Sequence, residues 1–159
     1  GWGKRVQAFL ITTTTTLVPS FFGAIPVLGL LVSLGLLIWT WVLYRRGLDI
    51  GARLTGLRVV RENGELAGFF HMYTRQLAAS ISFIVLGAGY WTAFSDPRRQ
   101  TWHDKMMRTY VVQDHPGLND LPATSSTAAV IWFWLSLIFI PALYFWVIAP
   151  ALSSYNGGS

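Results

Sequence analysis

Cysteine is absent from the 159 residues, which removes disulfide scaffolds, thiol catalysis and Cys-based metal sites. Charge is scarce: Asp, Glu, Lys and Arg make up 12% of the chain, roughly half of what a soluble domain carries. Acids are the scarcer sign, 7 against 12 Lys and Arg, which leaves a formal charge of +5. The acids Asp49, Glu62, Glu65, Asp96, Asp104, Asp114 and Asp120 all fall in expected loops or at the start of one short helix, outside the long apolar runs. Proton-coupled transport uses a titratable group within the membrane, so this distribution weighs against it. Histidine is limited to His71, His103 and His115, none at zinc-motif spacing from another ligand, so neither a metal nor another cofactor is expected. Nucleophile elbows, phosphate-cradling glycine loops and nucleotide fingerprints are missing too, and the expectation is a non-enzyme. A nucleic acid partner would need a basic face on a soluble surface, and none is expected.

What the chain has instead is apolar length. From Val6 to Tyr44 no residue carries a formal charge. One helix of that run would measure roughly 60 Å, about twice the hydrocarbon thickness of a bilayer, so it must reverse. Pro19 and Pro26 bracket the reversal, giving a first helix over about 4–19 and a second over 26–44. Five threonines, Thr12 to Thr16, lie in the first. Their hydroxyls either bond to carbonyls one turn back or form a polar face against another helix. Trp39, Trp41 and Tyr44 precede Arg45 and Arg46, as where a helix leaves the bilayer on its cytoplasmic side. Arg45, Arg46, Arg53 and Arg58 are expected on the cytoplasmic face, against anionic lipid head groups.

Between Arg45 and Arg75 lie six arginines. Asp49 to Thr55 reads as a short helix ended by Gly56, Leu57–Arg61 as a strand, and Asn63-Gly64 as a hairpin turn. Gln76 to Ser95 is uncharged and long enough for one crossing, yet basic loops flank it on both sides. A re-entrant or tilted segment broken near Gly87-Ala88-Gly89 reconciles these facts; a plain crossing is the alternative. Residues 114–127 read as a polar linker and 128–152 as a further transmembrane helix, bent at Pro141. Its tail is expected outside the cytoplasm.

The stretch Ser95–Val112 orients everything else, and its charges mark it as the place where the chain meets water. Asp96-Pro97 marks a turn. Thr101-Trp102-His103-Asp104 has capping-box spacing and starts a short helix running to about Arg108. Thr109 to Gln113 then has strand composition, and this strand is expected to pair with Leu57–Arg61. His103 and Asp104 are adjacent, so on a helix they point about 100° apart, which argues against an acid–base pair.

These residues resemble the closing motif of the RDD family of bacterial membrane proteins, with Phe94, Asp96, Arg98, Arg99, Gln100, His103, Asp104, Lys105, Thr109, Val111 and Val112 as the matching positions. Arg5 resembles the arginine that opens that family's motif, and Gly51 to Val60 its central basic loop. The likeness covers roughly residues 1–113 and is closest to actinobacterial members. It implies an arginine and two aspartates: Arg5 and Asp104 supply two, while threonine stands near Thr12 where the first aspartate is expected. The resemblance also implies ligand movement, cation/proton antiport in one branch.

The expected architecture is an all-α integral membrane protein of the bacterial plasma membrane, multi-pass, with its N-terminus and basic loops cytoplasmic. Three transmembrane helices, the re-entrant or tilted segment and a small cytoplasmic sheet compose it. The expected role is a non-catalytic accessory subunit that binds other membrane protein subunits and anionic lipid; a small antiporter or ligand transporter is the alternative.

Overall fold

The computed structural model describes residues 2–21, 26–84, 92, 94–98 and 100–156. Helix α1 spans Trp2–Phe21 and α2 spans Pro26–Tyr44. The expected reversal around residues 22–25 lies outside the described residues. After α2 the chain turns on itself and enters α3, Ile50–Thr55. The Asp49 carboxylate accepts the free N–H of Ala52 and so starts α3, while Gly56, in the left-handed region at φ 67°, ends it.

A small sheet comes next. Strands β1 (Leu57–Arg61) and β2 (Leu66–Ala67) form a hairpin that turns through Asn63 and Gly64. Strand β3 (Thr109–Gln113) lies antiparallel to β1 on its other side, Leu57 opposite Gln113 and Arg61 opposite Thr109, the pairing expected from the sequence. The segment 114–127, expected as a linker, carries a 3-10 turn at Pro116–Asp120 and strand β4 (Ala123–Thr124), which pairs parallel to β2. The sheet order is β3-β1-β2-β4. Leu57, Val59 and Val111 face the helices. Leu57 packs with Ala8, Leu43 and Leu48, and Val59 with Tyr44, Ala67 and Met72.

Helix α4, Phe69–Ile84, begins seven residues before the expected apolar segment, so Arg75 lies inside a helix and not in a loop. The expected break at Gly87-Ala88-Gly89 lies outside the described residues. Helix α5 (Trp102–Met107) carries both reciprocal hydrogen bonds of the capping box between Thr101 and Asp104. The chain ends in a long helix: α6 (Thr127–Leu143), a π-helical turn at Tyr144–Ile148 just after Pro141, and α7 (Ala149–Asn156). Phe133 anchors α6 to α4, its ring centroid 4.9 Å from that of Tyr73 and 5.0 Å from that of Phe70.

Among the described residues two helical stretches are long and apolar enough to cross a bilayer, Val27–Tyr44 and Thr127–Ser153. Only 11% and 6% of their residues are buried within the chain. A soluble core helix would be covered; apolar surface on this scale is suited to lipid. Helix α1 has the length for a third crossing, but Lys4, Arg5, Gln7 and its threonines make it less apolar.

Candidate functional site

Between α1, α4 and α5, above the helix-facing side of the sheet, lies an open cavity of about 310 Å³. Its polar wall is made by Arg5 and Thr12 of α1, Asp49 before α3, Arg75 of α4, and His103 and Asp104 of α5. Leu57, Val59 and Val111 close it on the sheet side, and Val6, Phe9 and Phe94 are among its apolar walls.

Asp104 is the deepest charge, 1% exposed. One carboxylate oxygen receives Arg75 Nε at 2.7 Å; the other receives the Thr101 hydroxyl at 2.7 Å. Burial works to raise its pKa, but the Arg75 charge foremost, helped by His103 and the Thr101 hydroxyl, holds it down at about 2. Burial and then Arg75 push the His103 imidazole down to about 3 against the pull of Asp104. At neutral pH the site is therefore an ionised carboxylate, its guanidinium and an uncharged imidazole. Such a fixed pair gives the wall charge without giving it a proton to exchange.

The block around Asp104 was expected to face water, yet Gln100, Thr101, His103, Asp104 and Thr109 are all buried. Gln100, Thr101, Asp104 and Thr109 turn inward because each finds a hydrogen-bond partner there. Of the two family-motif residues, Asp104 is held by Arg75. Arg5 itself lies on the same cavity and donates to the Val111 carbonyl at 2.9 Å, tying the start of α1 to the outer edge of β3. Gln100 Nε2 caps the Thr109 carbonyl on that edge at 3.0 Å. Both carbonyls would otherwise be open to another strand.

The threonines divide between the two expected roles. Thr14, Thr15 and Thr16 donate to carbonyls of their own helix. Thr12 instead donates to Asp49 Oδ1 at 3.0 Å and accepts the Gly51 N–H at 3.0 Å. A carboxylate thus sits beside position 12, supplied by the chain ahead of α3. Glycine at 51 makes that approach possible, since a Cβ there would lie 1.8 Å from the Ala8 carbonyl oxygen.

Of the other expected positions, Arg45, Arg46, Arg53 and Arg98 are exposed, Arg45 over the Trp41 ring and Arg98 on the Tyr110 hydroxyl. Arg99 lies outside the described residues. Arg58 does not face lipid: it is 3% exposed, with Nε 2.9 Å from Asp114 and Nη1 2.9 Å from Asn119. Its strand turns it to the face of the sheet opposite Leu57 and Val59, where the 3-10 turn covers it. Two residues of the cavity wall were missed, Arg75 and Asp49, and with them His71, which ties α4 to neighbouring elements outside that wall. The spacing of His71 and Arg75, four apart on one helical face, was the available signal. His71 joins three elements, its Nε2 3.1 Å from the Met107 carbonyl and its Nδ1 accepting the Ser126 N–H at 3.2 Å. Among the described residues no group of three His, Asp or Glu is gathered as for a metal.

The model of the RDD family matches residues 1–108, covering α1 through α5 and all of the cavity wall except Val111. No curated protein and no solved structure matches the chain. With the family pattern spanning more than half of its length, the chain belongs to the RDD family.

Proposed function

We propose that this chain is a non-catalytic accessory subunit of a larger assembly in the bacterial plasma membrane, a multi-pass protein with α1, α2 and the last helix as its crossings. The observation that carries this reading is the state of Asp104, the one fully buried acid among the described residues. A carboxylate clamped by Arg75 and held near pKa 2 is a structural charge, unsuited to coupling proton movement to cargo. The last helix adds support: all side chains from Leu137 to Ile148 are exposed, which leaves its outer half available to another subunit. Exposed Arg45, Arg46 and Arg53 suit the anionic head groups of the cytoplasmic leaflet, which supports a cytoplasmic sheet. Extraction in mild detergent tests the reading. Stoichiometric membrane partners are expected to co-purify; a monodisperse, partnerless chain would contradict it.

A second reading, a small cation/proton antiporter or ligand transporter, draws on the cavity, because Arg5, Thr12 and Asp104 share its wall. pH-dependent cation flux through vesicles holding the purified chain alone would favour this second reading over the first.

A further inference from the structure

Two features of the cavity call for an occupant. Both hydrogen bonds that reach the Asp49 carboxylate, from Thr12 and from Ala52, end on Oδ1; among the described residues Oδ2 accepts none. Apolar side chains in the wall also stand open to the outside, Val6 at 47% and Phe94 at 67% exposure. A cavity with a charged interior and an exposed apolar border fits a molecule that is polar at one end and hydrocarbon at the other. Its volume, about 310 Å³, lies at the small end of ligand sites and is ample for a head group whose tails remain in the bilayer.

The charges narrow the choice. Arg5 and Arg75 balance Asp49 and Asp104, and His103 is uncharged, so the wall is neutral overall while presenting both signs. An anionic head group would meet as much repulsion as attraction. Asp49 reaches the cavity bonded to Thr12 and offers a carboxylate there. We propose that the cavity receives the head group of a zwitterionic phospholipid bearing a primary ammonium, with the ammonium on Asp49. A quaternary head group is the poorer fit, since it has no N–H to give Oδ2.

The test is lipid retention by the purified full chain. Delipidated protein is offered phosphatidylethanolamine, phosphatidylcholine and phosphatidylglycerol of identical acyl chains, and the retained lipid is counted by native mass spectrometry. The ethanolamine lipid should be retained several-fold over both others. Asp49→Asn keeps a good cap for α3 and should keep the fold, yet it removes the negative charge. The ratio of ethanolamine to glycerol lipid should then fall roughly fivefold to tenfold, as expected for loss of one charge-assisted hydrogen bond. Asp120→Asn, at an exposed position, should leave that ratio unchanged. Equal or better retention of phosphatidylglycerol by the unaltered chain, no retained lipid, or a ratio insensitive to Asp49→Asn would each overturn the assignment. Co-purification of partners plays no part in this readout, so the two tests fail separately.

Discussion

Removing either member of the Arg75–Asp104 pair should destabilise the chain, but with opposite responses to pH. Asp104→Asn leaves a guanidinium that is 12% exposed without its carboxylate; Arg75→Met leaves a carboxylate that is 1% exposed without its cation. Breaking a buried pair in this way costs about 3–5 kcal/mol, on the order of 10 °C in the melting midpoint for a chain of this size. The pH window comes from linkage. The folded-state pKa of Asp104 is depressed from 3.8 to about 2, so its contribution is complete above pH 4 and disappears as pH falls toward 2. The shift of nearly two units corresponds to about 2.5 kcal/mol, the part of the loss that depends on pH. The gap between the unaltered chain and Asp104→Asn should therefore be constant from neutral pH to about 4 and narrow below it. In Arg75→Met the sign reverses. Burial without a counter-ion raises the Asp104 pKa above its unfolded value, so relative to the unaltered chain this variant should gain stability as pH is lowered from 7 to 5. The double variant should recover part of either single loss. Melting of the detergent-solubilised protein, followed by its tryptophan fluorescence across pH, measures all of this. An Asp104→Asn midpoint within a degree of the unaltered chain, or an Arg75→Met variant that loses more stability between pH 7 and 5 than the unaltered chain does, would show that the pair is not the buried clamp described.

Burial lowers the pKa of both His71 and His103, so the folded chain resists protons that the unfolded chain takes up; stability should fall as pH drops below about 6.5, with protection of the Ser126 amide lost first, as read by hydrogen exchange. Gly51→Ala should cost about 2–3 kcal/mol by forcing α3 off α1, whereas Gly3→Ala, with no atom within 4 Å of the added Cβ, should leave the melting midpoint unchanged or raise it. Arg58→Ala should cost about 3 kcal/mol or more by stranding Asp114, while Arg53→Ala at an exposed position should cost less than about 0.5 kcal/mol. The same melting measurement separates these variants.

How much of the fold and the site is legible in the sequence depends on how local each signal is. The capping box at Thr101, the Asp49 and Gly56 caps of α3 and the Asn63-Gly64 turn are set by neighbours three or four residues away, and they appear where expected. The β1–β3 pairing is legible because both strands carry β-branched runs of equal length. The features that escape such a reading depend on distant partners. Arg75 reads as a loop residue because counting uncharged residues begins after a charge, and its partner Asp104 lies 29 positions on. Arg58 reads as a lipid-facing residue because a strand pattern does not say what covers its second face; Asp114 and Asn119 do. Strand β4 is two residues long, too short for composition to announce. The sequence points to Arg5 and Asp104 as members of one site, and does not show that Asp49 brings a carboxylate to the threonine at position 12.

The tether from Arg5 to the Val111 carbonyl joins positions 106 residues apart. During synthesis the first helix is released long before β3 exists, so this contact forms only once the sheet has closed. Assembly of this unit is then a late event, completed only as the edge strand leaves the ribosome. A chain interrupted anywhere before Val111 would present to the cell's quality-control proteases a first helix with no hold on the sheet.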